Sequence, residues 1–247
     1  MLATSRVARQ SSGIGLAINS EAYYRKPLSD NLPDRFKERY EKFKLKEEYS
    51  VQHLDKKRLD KYANDFVHIY NTAWAQHGEA KAITKDQIMK LFKTLSPVMD
   101  ERMIRFAYYK EDPIAMFINI PDVNQYFKYF DGQLGWKQKI HLMWMKFRKT
   151  NTRLTGLAFG VVPKFQSLGI DSYLIYSTSL LLDQIKVYNE YEMGWAADWN
   201  PKMVNIYKSL AADPSRRMVT FRHIFDTQKH PFERHPVMEY KSPNQAS

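Results

Sequence analysis

Two short stretches of this chain hold residue types whose spacing can do chemistry. The first is Gly160-Val-Val-Pro-Lys-Phe-Gln-Ser-Leu-Gly-Ile-Asp171. An apolar strand ends at Pro163, a polar turn follows, and a helix opens near Gly169. The free N–H groups of a helix start attract anions, and a glycine lets a phosphate approach the backbone closely. Lys164 adds positive charge beside them. The same pattern also fits a plain strand–turn–helix connection with no ligand. The second stretch is Asn200-Pro-Lys-Met-Val-Asn-Ile-Tyr207. Asn200 is a strong N-cap and Pro201 a strong first helical residue. Tyr207 lies two turns on and shares the face of Asn200. Alone, that pair equally reads as a cap and a core ring.

Together the two stretches resemble the GNAT superfamily of acyl-CoA-dependent acyltransferases. The matching residues are Val161 and Pro163 at the strand end, Gln166 and Gly169 before the helix, and Asn200, Met203 and Tyr207 on the later helix. The resemblance covers about residues 49–226. It is nearest to an uncharacterised GNAT-like group with a Pro-Asp-x-Asn motif, here Pro121, Asp122 and Asn124. Members of that group often carry another GNAT-like lobe upstream, so this chain would correspond mainly to the C-terminal lobe.

The resemblance implies an α+β or α/β fold. Its sheet would be mixed, mostly antiparallel and twisted, with a V-shaped splay between two central parallel strands and helices at its flanks. It implies that an acyl group, acetyl by preference, passes from acyl-CoA to an amine by direct attack in a ternary complex. Main-chain N–H groups of Gln166, Ser167, Leu168, Gly169 and Ile170 would hold the CoA pyrophosphate. The strand edge at Leu157, Phe159 and Val161 would bond the pantetheine arm, with room left by Gly156 and Gly160. Asn200 would reach that arm or order a water near it, and Tyr207 would protonate the departing thiolate.

An amine with a pKa of about 10.4 costs roughly 4–5 kcal/mol to deprotonate at pH 7, so a base should help. Glu192 is the candidate, and it reads equally well as an ordinary strand carboxylate. Asn71, Trp74, Asp122 and Asn124 fall where acceptor loops would sit, and equally suit caps and core. Two departures stand out. Asp171 replaces a small residue in the helix's first turn, where it suits the dipole but would repel a pyrophosphate. Ala211-Ala212 replace the usual Gly-Phe after the tyrosine. Asp171 and the lack of an obvious base keep open a second reading, a non-catalytic GNAT-like module that binds CoA or a protein partner.

The elements that must position these residues follow from periodicity. Phe36, Tyr40 and Phe43 predict a helix from Pro33 to about Lys46, and Tyr49–Leu54 a short strand. Leu59, Tyr62, Phe66, Ile69 and Ala73 stripe a helix over 59–76. Thr84 and Gln87 form a capping box for the next helix, which stops by Pro97. Met103–Tyr109 and Ile114–Ile120 read as a hairpin, and Thr155–Val162 as a third strand. A long helix over about 169–190, a strand near 193–197, a helix over 201–211 and a strand over 218–225 complete the order. Strands alternating with helices argue for a mixed sheet with crossovers. Residues 1–32 are expected to be a flexible leader or the remnant of an upstream lobe, with 21–32 as a polar connector. Residues 33–226 are expected to form the domain, and 227–247 a loose tail.

The 247 residues are 44% hydrophobic and 14% aromatic, enough for a sizeable core. The 38 Lys and Arg against 27 Asp and Glu leave a net charge of +11, which favours anionic partners. These cations are spread along the chain and not gathered into a nucleic-acid motif, so nucleic-acid binding is the weakest reading. With no cysteine, disulfide scaffolds and thiolate chemistry are excluded. A reducing, cytoplasmic setting is the expectation. The seven histidines show no metal-ligand spacing, and no metal is expected. Residues 135–149 form a basic amphipathic helix with Trp136, Ile140, Met143, Trp144 and Phe147 on one face. The favoured expectation is that this face packs on the sheet and leaves a solvated basic side. Contact with an anionic membrane surface is the other reading.

Overall fold

A computed structural model describes residues 16–74, 81–210, 213–225 and 232–237. The expected leader over 1–15, the end of the helix at Gln76, Ala211-Ala212 and most of the expected tail lie outside the described residues. Contacts divide the chain into two units. The larger is Lys26–Glu192, and the smaller comprises the described residues of Met1–Arg25 and Met193–Ser247.

The larger unit is built on a four-stranded antiparallel sheet, β2 (Tyr49–His53), β3 (Ile104–Tyr109), β4 (Asp112–Pro121) and β5 (Arg153–Val161), in that spatial order. The start of β6 (Glu190–Ala197) then pairs in parallel with β5, from Arg153↔Glu190 to Thr155↔Glu192. One face is covered by α2 (Leu59–Ala73) and α3 (Lys85–Leu95). There Tyr62, Phe66, Ile69, Ile88 and Phe92 meet Phe106, Met116 and Ile118 in one buried cluster. The Thr84–Gln87 capping box forms as the sequence predicts. Helices α1 (Asp34–Lys44) and α6 (Ile170–Ile185) pack on each other, with Phe43 and Tyr173 ring centroids 5.4 Å apart. Helix α6 also packs on β3 and β4, and the Arg105 guanidinium of β3 donates to Ser177 Oγ at 2.8 Å. The helix ends earlier than the pattern suggests because Lys186 takes a left-handed C-cap (φ 46°).

Asp100 pins the entry to β3. Its carboxylate accepts Arg102 Nε at 2.9 Å, Arg102 Nη2 at 2.7 Å and the Tyr188 hydroxyl at 3.0 Å. Burial opposes its charge, but the bonds from Arg102 and Tyr188 outweigh it and hold Asp100 below the usual carboxylate range. A carboxylate depressed in the folded state stabilises above its unfolded pKa, near 3.9, and that stability fades as pH falls through the folded value. The urea midpoint should therefore drop between about pH 5 and pH 2, and Asp100→Asn should flatten part of that slope.

Between β4 and β5 lie α4 (Asn124–Phe127) and α5 (Trp136–Phe147). The expectation for α5 is corrected. Leu142 and Met145 are the residues that pack, with Val98, Tyr126 and Phe130, while the Trp136–Phe147 stripe faces solvent. The inward stripe contains two apolar residues among cations and was overshadowed by the larger aromatic one.

In the smaller unit, β1 (Leu16–Pro27) pairs antiparallel with β7 (Asp213–Arg222), and the strand order runs β6-β1-β7. Residues 21–27 are thus strand and not connector. Their ladder partner comes from the far end of the chain, so no local pattern announces it. Tyr23 lies opposite Arg216, whose guanidinium stands 4.4 Å from the ring centroid. Helix α7 (Pro201–Ser209) completes the unit. Among the described residues, the strand pairings are mixed and mostly antiparallel, as the resemblance implies, with β5 and β6 the parallel pair.

Candidate active site

Strand β5 is irregular where chemistry would need it. The β4–β5 ladder pairs Ile118 with Ala158 but Asn119 with Gly156, so Leu157 is an extra residue. Such a bulge leaves one residue out of the ladder and re-aims its peptide. Opposite Gly156, the buried Asn119 accepts the Tyr191 hydroxyl at 2.8 Å and donates to the Met103 carbonyl at 3.3 Å. Neither the bulge nor this pair is visible in the sequence, where Leu157 is one apolar residue in an apolar run. Phe159 meets Phe117 edge-on at 5.4 Å. Within the larger unit, the β6-facing edge of β5 has registered partners from Arg153 to Thr155 and none among the described residues beyond. Gly160 opens space on the other side of the strand: a Cβ there would point at Ile69, Met116 and the Trp74 indole nitrogen, each at 3.6 Å.

The loop after β5 makes a single 3-10 turn at Pro163–Phe165, anchored by Phe165 against Tyr109. Gln166 Nε2 donates to the Val161 carbonyl at 2.9 Å and ties the loop to the strand end. Ser167 (φ 62°) and Gly169 (φ 97°) are both left-handed. A serine in that region is strained, and such strain clusters where a backbone is held for a ligand. Alanine at Gly169 would cost about 1–2 kcal/mol for its backbone alone. Its Cβ would also lie 3.1 Å from Arg39 Cδ. Arg39 comes from α1 and donates to the buried Ser172 hydroxyl at 3.1 Å, in the first turn of α6. A guanidinium thus stands at the head of α6, and Lys164 is exposed on the same loop. Asp171 is half-buried in the first turn of α6. A left-handed glycine, a helix start and an added cation suit a pyrophosphate. Arg39 escaped the sequence reading because it belongs to a distant helix.

In the smaller unit Asn200 caps α7, its Oδ1 accepting the Met203 amide at 3.2 Å. Tyr207 is buried, with its ring 5.4 Å from that of Tyr24, and burial pushes its hydroxyl pKa well above the ordinary tyrosine value.

The remaining expected residues do not gather at one point. Glu192 is buried beside the β5 pairing, opposite Thr155. Its charge, with those of Glu190 and Asp122, supports the Arg153 guanidinium, which burial alone would disfavour. Arg153 bonds Glu190 at 2.6 Å and Asp122 at 3.4 Å, while Asp122 also accepts the amide and side chain of Asn124. Asn71 brackets the backbone of Ile83 with bonds of 2.9 and 3.0 Å. Trp74 lies by Gly160, opposite Met116, whereas Asp122 follows Pro121, opposite Leu154. These points are roughly 17 Å apart along β4 at the usual strand rise.

No protein-family model matches the chain. The glucosamine N-acetyltransferase region of a fungal multi-domain GH3 β-N-acetylglucosaminidase superposes with a TM-score of 0.52 at 12% identity, over 87% of this chain and 22% of that one. The chain has the GCN5-related N-acetyltransferase (GNAT) fold. A GCN5-related N-acetyltransferase from Sphaerobacter thermophilus gives a TM-score of 0.48 at 10% identity, over 89% of this chain and 55% of that one. In sequence, the chain is 25% identical over 167 residues to a bacterial ceramide synthase of Caulobacter vibrioides (strain NA1000 / CB15N), 65% of this chain and 42% of that protein. It therefore spans less than half of that relative. Among the described residues of this GNAT-fold chain, no cluster of three or more acidic or histidine side chains is placed to hold a metal ion. No described helix is long and apolar enough to cross a membrane.

Proposed function

We propose that the chain transfers an acyl group from acyl-CoA to an amine. The observation that carries this reading is the bulged β5 running into a left-handed loop and a helix start with Arg39 beside it. Acyl-CoA supplies an activated thioester. The amides of 166–170, with Arg39 and Lys164, bind its pyrophosphate. The edge of β5 at Leu157, Phe159 and Val161 bonds the pantetheine arm, and the resemblance gives Asn200 the part of ordering it. The Leu157 amide, freed from the ladder, polarises the reacting carbonyl. Glu192 draws a proton from the amine, and the resemblance gives Tyr207 the part of returning one to the departing sulfur. Asn71, Trp74, Asp122 and Asn124 shape the acceptor side. The likeness to a ceramide synthase supports N-acylation, because a ceramide is an amide.

Calorimetric titration with acetyl-CoA tests the proposal. Saturable binding is expected, weakened about tenfold or more by Arg39→Ala, in line with loss of a charge-assisted contact. No binding at millimolar cofactor would end it. Asp171 in the first turn of α6 favours the alternative, a module that binds CoA or a protein partner without catalysis. In that case the protein binds CoA or its partner and no acyl transfer is measurable. Acyl length is read from the same titration with acyl-CoAs of increasing chain length.

A further inference from the structure

Five large apolar side chains of α5 are exposed: Trp136, Ile140, Met143, Trp144 and Phe147. At about 100° per residue, these five share an arc of about 100°. Leu142 and Met145, the residues that bind this helix to the protein, lie roughly opposite that arc. The stripe therefore points away from the part of the larger unit on which α5 packs. Phe147 is 84% exposed, Met143 71% and Trp136 69%. Isolated apolar residues on a surface are ordinary, but a contiguous aromatic stripe is a contact surface.

Charge decides what it contacts. Helix α5 contains no acidic residue, and over 128–149 the acid is Asp131 alone. Lys139 flanks the stripe on one side, and Lys137 and Arg148 on the other. Lys137 stands 5.7 Å from the Trp136 ring centroid and Arg148 5.9 Å from that of Trp144, so the cations lie along the edges of the rings. Lys146 belongs elsewhere: it is turned to the Pro97 carbonyl, and burial lowers its pKa. Two tryptophans and a phenylalanine between rows of cations match the interfacial layer of an anionic bilayer, where rings enter the headgroup region and cations meet phosphates. A second copy of the chain is a poorer match. A twofold contact through this patch would set cation rows against themselves, and lysine is depleted in protein interfaces.

We propose that α5 docks this protein on an anionic membrane surface, with the Trp136–Phe147 stripe inserted into the headgroup layer. The test is sedimentation of the full chain with vesicles of phosphatidylcholine alone and of phosphatidylcholine with phosphatidylglycerol. Binding to the anionic vesicles is expected, falling with added salt and accompanied by a blue shift of tryptophan emission. The double substitution W144S and F147S should weaken binding by about tenfold or more at unchanged helicity. K137E with K139E should remove the preference for the anionic lipid. Absence of vesicle binding would overturn the proposal. So would binding that neither variant alters, or self-association by sedimentation velocity that the aromatic variant abolishes.

Discussion

Replacing Tyr207 by phenylalanine should lower the acyl-transfer kcat by about 10²-fold or more while leaving acetyl-CoA affinity and the fold in place, the size typical of a lost general acid. The phenyl ring keeps the packing that tyrosine has against Tyr24, so stability is a control and not a confound. What is lost is the proton. A buried phenol with a raised pKa holds that proton throughout the working pH range. The same burial penalises a thiolate anion, so what drives the transfer is the difference between two anions in similar surroundings, not the absolute acidity of the phenol. Because the Tyr207 pKa is raised, its deprotonation sets no alkaline limb below about pH 10. Single-turnover rates of the two proteins from about pH 6 to about pH 10 decide the matter. An unchanged rate removes the acid role from Tyr207, whereas cofactor binding with no measurable transfer by the unsubstituted protein leaves the binding-module reading.

The sequence disclosed what is local. The capping box at Thr84, the apolar stripe of α2, the hairpin of β3 and β4, and the helix start after Gly169 each depend on neighbours within a few residues. They stand where periodicity and turn chemistry put them. What the sequence hid is non-local. Strand β1 reads as polar because its order comes from pairing with β7 at the opposite end of the chain. Arg39 became a neighbour of Gly169 only once α1 packed on α6. The α5 stripe misled because amphipathicity reveals two faces but not which one finds a partner; Leu142 and Met145 met a waiting cluster at Val98, Tyr126 and Phe130.

The candidate site shows the same division. The spacing of Gln166, Gly169, Asn200 and Tyr207 is legible, since each is needed for a turn, a cap or a core ring as much as for a ligand. Their local duties are visible in the structure: Gln166 bonds the Val161 carbonyl, Asn200 caps α7, and Tyr207 lies on Tyr24. Asn71, Asp122 and Asn124 are held by backbone and side-chain bonds of their own. Polar residues spent on local structure and polar residues aimed at a substrate look alike in a sequence. Only partners separate them.

The second large effect follows from Leu157, a residue whose side chain has nothing to do with it. In a regular ladder its amide would alternate with its neighbours between partner strand and solvent; the bulge takes it out of that alternation. An amide of this kind next to a thioester carbonyl stabilises the oxyanion that forms when an amine attacks, and loss of one such donor costs about 10²–10³-fold in kcat. Leu157→Pro removes the N–H with least damage elsewhere, because proline is tolerated at bulges. Leu157→Ala trims the half-exposed side chain and keeps the amide. The expected pattern is a kcat reduced by about 10²-fold or more in the proline variant, beyond any loss of acetyl-CoA affinity there, and kcat and affinity near wild type in the alanine variant. Equal losses in both variants would mean that the side chain matters and the amide does not. A proline variant as fast as wild type would mean that the bulge serves only the shape of the sheet.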